Sequence, residues 1–89
     1  MIKKTIEIIN KLGLHARAAA KLSHLANSFN SDIHLIYRED RVDAKSLLGI
    51  LTLAASIGNK ITIEANGKDQ DKALKDIVAL FQAKFNEES

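Results

Sequence analysis

Eighty-nine residues leave room for one small domain, and 46% hydrophobic with 27% charged residues is the composition of a globular chain, not a disordered one. With no cysteine, disulfides and thiolate metal sites are excluded, and no apolar run approaches the ~20 residues of a membrane span. A net charge of +2, from 13 basic and 11 acidic residues scattered along the chain with 4% aromatics, lacks the basic stripe and stacking rings of a nucleic-acid binder. Met1-Ile2-Lys3-Lys4-Thr5 has no apolar signal core, so a cytoplasmic protein without membrane insertion is expected.

Residues 2–9 alternate as a strand, with Ile2, Ile6 and Ile8 on one face and only Lys4 breaking the pattern. Gly13 supplies a flexible point in the break that follows, and Ala16 to Asn27 favours helix, its alanines small enough to sit close on a sheet. Asp32 to Tyr37 alternates again; a charged turn at Arg38-Glu39-Asp40 and a short strand over Arg41 to Ala44 complete a hairpin. Ser46 is the expected N-cap of a short helix reaching Ala54, and Lys60 to Ala65 is the cleanest strand, closed by the Asn66-Gly67 turn. The last helix is expected to start at an Asp69 cap and run to about Phe85, with Leu74, Ile77, Val78, Phe81 and Phe85 as its apolar stripe and Lys84 near its end. The order β-α-β-β-α-β-α predicts one α+β unit, an antiparallel-rich sheet covered by helices on one face.

Two places invite a functional reading. His15 falls at the start of the first helix, where unpaired N–H groups and the positive end of the dipole favour an anion, and Arg17 adds a permanently charged donor. A nucleophilic nitrogen, an anion cradle and a cationic clamp together are equipment for holding a phosphoryl group on imidazole. The plainer alternative is that His15 caps the helix and Arg17 is solvated beside it. The second place is the short helix after Ser46. Leu47, Leu48, Ile50, Leu51 and Leu53 point all around it, although a helix on a sheet buries one stripe. If Ile50 and Leu53 pack inward, Leu47, Leu48 and Leu51 are left for docking; the alternative is a fully covered core helix. Gly49 in its middle invites a close approach.

The segments Gly13-Leu14-His15-Ala16-Arg17 with Ala19-Ala20, and Ala44-Lys45-Ser46-Leu47-Leu48-Gly49, resemble the two signature segments of the HPr family, the histidine-containing phosphocarriers of the bacterial phosphoenolpyruvate-dependent sugar phosphotransferase system. The resemblance spans essentially the whole chain, read as a single HPr domain over residues 1–89. It implies an open-faced β-sandwich, a four-stranded antiparallel sheet with three helices on one face. It implies that His15 accepts a phosphoryl group on Nδ1 from phosphorylated Enzyme I and passes it to an Enzyme IIA protein or domain, with Arg17 steadying the phosphate. Ala16, Ala20, Lys21, Leu47, Leu48 and Leu51 belong on this reading to the surface both partners share, and Ser46 is the position an HPr kinase/phosphorylase modifies. Such a protein is a stoichiometric carrier, not an enzyme. One departure is Ala18, where the family most often has Pro; a nitrogen-branch or purely regulatory paralogue stays open on that account.

A phosphate on Ser46 would be tolerated by the fold, because a dianion suits a helix N-terminus, so any inhibition should arise at the interface. His24 and His34 read as bystanders. Without cysteine or clustered carboxylates around the histidines no metal is expected, and without a Gly-rich nucleotide loop no ATP or other cofactor. A regulatory docking module on the same scaffold is the competing reading; an RNA-binding domain is disfavoured by the missing sheet aromatics. A carrier whose His15 must open to two partners in turn argues for a monomer.

Overall fold

Alternation of branched apolar and polar residues produces four strands in the computed structural model, which describes residues 1–87. They are β1 (Ile2–Glu7), β2 (Asp32–Tyr37), β3 (Asp40–Asp43) and β4 (Lys60–Asn66). The sheet order is β1-β4-β2-β3, every neighbouring pair antiparallel. Ile33, Leu35, Ile61, Ile63 and Ala65 form its fully buried face. The other face is polar. There Lys3 lies opposite Glu64, Glu7 opposite Lys60, and the Thr5 and Thr62 hydroxyls meet at 2.7 Å.

Three helices cover the apolar face: α1 (Ala16–Asn27), α2 (Leu47–Thr52) and α3 (Gln70–Gln82). Together with the sheet they make the expected open-faced β-sandwich. Ala18, Ala19, Leu22 and Ala26 of α1 are buried, Ile50 is the buried residue of α2, and Ala73, Ile77, Val78 and Phe81 those of α3. Gly13, at φ +64, packs so tightly that a Cβ there would stand 2.6 Å from the Ala55 carbonyl oxygen. The N–H of Leu14 donates to that same oxygen at 3.0 Å, so the loop before α1 is stitched to the chain leaving α2.

Several boundaries move for identifiable reasons. β1 ends at Glu7, not Ile9, because its partner β4 begins opposite at Lys60; Ile8 still buries and exchanges hydrogen bonds with the Gly58-Asn59 turn. β3 covers Asp40–Asp43; Ala44 follows it into the core, its N–H still donating to the Ile33 carbonyl at 2.9 Å. α2 stops at Thr52, since Leu53 and Ala55 turn inward and Ala54 takes a left-handed φ of 51° between them. α3 stops at Gln82, and Lys84, Phe85 and Asn86 follow with φ of 54°, 56° and 62°. Lys84 is therefore outside the helix. Phe85 is still fully buried, edge-on to Phe81 at 4.9 Å between ring centroids, but reaches the core by reversal instead of helical continuation.

Asp69 occupies the N-cap position of α3, yet its side chain makes no cap bond. The carboxylate instead accepts from the N–H groups of Asn30 and Ser31, each at 2.9 Å, and from the Ser31 hydroxyl, joining the α3 start to the α1–β2 turn. The Ser31 hydroxyl chiefly, then the Asn30 N–H, hold its pKa below the ordinary 3.8, against a smaller opposing effect of burial. A lowered folded-state pKa contributes stability that is complete above the unfolded value and lost as pH falls through the folded one. Thermal melts of Asp69→Asn should start from a lower melting temperature at neutral pH and lose less of it than the native chain between pH 4 and about pH 2.

Candidate functional site

His15 is the backbone N-cap of α1 (φ −72°, ψ 175°), but its side chain makes no cap hydrogen bond. The helix begins so abruptly because Gly13 turns the chain and Leu14 buries, which leaves the ring at the mouth of the turn. Ala19 N–H is the first to be satisfied, by the His15 carbonyl at 2.8 Å; those of Ala16, Arg17 and Ala18 have no acceptor among the described residues. The reading of His15 as a simple cap therefore fails. The ring is free of the backbone, at the start of a helix whose first three N–H groups have no acceptor among the described residues.

His15, Ala16, Arg17 and Lys21 line one open depression, together with Leu12, Asn86 and Glu87. Arg17 is exposed. Lys21 is half-buried and its ammonium donates to the Phe85 carbonyl at 2.6 Å, so it ties down the chain after α3 more than it presents a free charge. The His15 Nε2 lies 2.5 Å from Glu87 Oε1, while Nδ1 takes no hydrogen bond among the described residues. Ala20 is exposed on α1 but outside the depression.

On α2 the expected cap is present: Ser46 Oγ accepts from Gly49 N–H at 3.0 Å. Gly49 explains itself here, because a Cβ would come 3.2 Å from that oxygen; the close approach is made by the cap. Leu47 is 40% and Leu48 74% exposed, whereas Leu51 is half-buried against the core and contributes less free surface than its neighbours. α1 and α2 pack against each other, with Asn27 Nδ2 donating to Lys45 O at 3.0 Å. The apolar pair on α2 thus belongs to the same helical layer as His15, although it lies outside the depression.

This arrangement has close counterparts. The family model for the PTS HPr component phosphorylation site matches residues 2–83. The chain belongs to the HPr family. Phosphocarrier protein HPr of Cupriavidus necator is 45% identical over 87 residues, 98% of each chain. Phosphocarrier protein NPr of Shewanella violacea is 46% identical over 88 residues, 99% of this chain and 97% of that one. The crystal structure of HPr-C-His from Thermoanaerobacter tengcongensis superposes with a TM-score of 0.96 at 44% identity, covering all of both chains. The HPr family consists of phosphocarriers of the phosphotransferase system, carriers and not enzymes.

Against the family's usual Pro, Ala18 is fully buried in the first turn of α1, and its N–H is one of the three left without an acceptor. His24 is exposed near the end of α1, and His34 lies on the polar face of the sheet, where Arg41 reaches its Nδ1 at 3.3 Å while also pairing with Glu64. Among the described residues no three His, Cys, Asp or Glu side chains converge as a metal site, and no helix is long and apolar enough to cross a membrane. Glu87 was invisible to sequence reasoning. It stands 72 positions from His15, and only the left-handed reversal after α3 brings them together. Replacing Ser46 by Ala should cost about 1 kcal/mol of unfolding free energy in urea titrations, the usual worth of such a cap.

Proposed function

We propose that this chain carries phosphoryl groups in the sugar branch of the phosphotransferase system, accepting them on Nδ1 of His15 from phosphorylated Enzyme I and handing them to Enzyme IIA proteins or domains. The observation that carries this reading is the histidine at the unsatisfied start of α1, in one depression with Arg17, on a chain of the HPr family. The N–H groups of Ala16 and Arg17 and one guanidinium can hold a phosphate without enclosing it, as a carrier that must also release it requires. Ala16, Ala20 and Lys21 of α1, with Leu47 and Leu48 of α2 and the half-buried Leu51, form the docking surface that donor and acceptor use in turn, the carrier itself acting as a monomer. Ser46 is the regulatory position, open to a kinase of the HPr kinase/phosphorylase type. Its phosphate would act by meeting acidic partners, not by unfolding α2.

Incubation with phosphoenolpyruvate, Mg²⁺ and a bacterial Enzyme I should add one phosphoryl group to the intact mass, labile to mild acid and absent from His15→Ala. No gain, with that Enzyme I active on another HPr, would overturn the sugar-branch assignment. A second reading follows from the Shewanella violacea NPr, as similar to this chain as the Cupriavidus necator HPr is: a carrier of the nitrogen branch, which would charge only from that branch's donor. Ser46→Asp should keep the native melting temperature while slowing phosphoryl acceptance by about tenfold, the equivalent of 1.4 kcal/mol. Stopped-time acid-quench assays would measure it.

A further inference from the structure

The carboxylate on His15 is held there by tertiary structure and not by local sequence. Lys84, Phe85 and Asn86 take three successive left-handed conformations, with φ between 54° and 62°, which non-glycine residues avoid when unsupported. Burial of Phe85 against Phe81, the Lys21 ammonium on the Phe85 carbonyl at 2.6 Å and the Glu87 N–H on the Lys84 carbonyl at 3.0 Å secure the reversal. Glu87 leaves it in extended conformation, its side chain only 12% exposed, with Oε1 2.5 Å from Nε2 of His15.

An ionised carboxylate can only accept, so the contact requires the proton on Nε2. A neutral imidazole carries one N–H; with that hydrogen on Nε2, the lone pair is on Nδ1, the nitrogen without a partner among the described residues. We propose that Glu87 is a positioning residue for phosphoryl transfer at His15: it fixes the ring in the Nε2–H tautomer and stabilises the charge that the ring gains. The proposal rests on the carrier reading given above. In the forward step the Nδ1 lone pair forms the N–P bond while the bond from phosphorus to the donor's leaving atom breaks, its electron pair departing with the donor. The proton stays on Nε2, and the ring becomes a phosphorylated imidazolium whose positive charge faces Glu87. In the onward step the acceptor's nucleophile attacks phosphorus and the N–P electron pair returns to Nδ1, leaving the original neutral ring. A carboxylate behind a histidine acts in the same sense in hydrolase triads, setting tautomer and orientation without taking the proton. Arg17 and Lys21, the other charged groups in the depression, are cations and do not duplicate this role.

The test uses the full chain, uniformly ¹⁵N-labelled, at pH 8, where ordinary imidazoles are neutral. Long-range ¹H–¹⁵N correlation should show native His15 as the Nε2–H form. Glu87→Ala should raise the Nδ1–H share several-fold, and Glu87→Gln, whose amide oxygen also accepts from Nε2–H, should restore the native pattern; His24 and His34 serve as unmoved internal references. In the acid-quench assay Glu87→Ala should accept phosphate about tenfold more slowly than the native chain, with Glu87→Gln between them because it keeps the tautomer and loses the charge. Melting temperatures of all three should agree within a few degrees, which separates positioning from a structural role. Identical tautomer populations, or identical acceptance rates, would overturn the proposal. If Glu87→Ala shifts the tautomer while the native chain never takes a phosphoryl group on His15, the carrier reading is overturned instead and the contact's hold on the tautomer stands.

Discussion

Everything at the functional end of the molecule depends on how closely two backbones approach. Gly13 lies against Ala55 and Ser56 with no room for a side chain, and the adjacent Leu14 N–H completes the seam on the Ala55 carbonyl. That seam fixes where α1 starts. Because α1 starts there, the unpaired N–H groups of its first turn, the His15 ring and the Arg17 side chain all open at one corner. Because the other half of the seam is the chain leaving α2, the exposed Leu47 and Leu48 are carried into the same helical layer. An open corner around His15 and an exposed apolar pair on α2 are thus consequences of one van der Waals constraint.

The chemistry such a corner supports follows from its openness. A deep, multiply cationic pocket would hold a phosphate too well for a carrier. Here one exposed guanidinium stands beside first-turn N–H groups that have no acceptor among the described residues, and the second nearby cation, Lys21, is already committed to the Phe85 carbonyl. A helix terminus supplies partial charge that needs no reorganisation when a phosphoryl group arrives and adds little to hinder its departure. The depression at this corner is open and shallow in charge, with one exposed guanidinium, and not an enclosed cavity.

How much of this was legible in the sequence varies with the physics involved. α1 could be bounded to the residue, because Gly13 and an alanine-rich run mark its start and polar residues close it. The four strands were readable from alternation, and the Ser46 cap from residue type and position. The sheet order was not readable, since alternation shows which residues share a face but says nothing about which strand pairs with which. Asp69 does mark the start of α3, but a cap side chain has a choice of donors, and the Asn30 and Ser31 groups that win lie 38 or 39 positions away. Phe85 sits on the helical stripe in sequence but reaches the core through a left-handed turn that no local preference announces, and Glu87 becomes a neighbour of His15 only as a result. What escaped, in each case, was a long-range contact overriding a local signal.

The strand order also bears on how the chain comes to exist. β1 is the first strand made, yet its one partner strand among the described residues is β4, the last, so the two can pair only after residue 66 has left the ribosome. The β2–β3 hairpin, by contrast, closes over a two-residue connection and can form as soon as it emerges. During synthesis β1 therefore waits with its backbone edge unpaired, and the backbone seam that shapes the His15 corner cannot close until Ala55 has followed Gly13 out. A nascent chain of this protein thus carries the His15 segment early but acquires the corner around it only after α2 and the chain leaving it have been made.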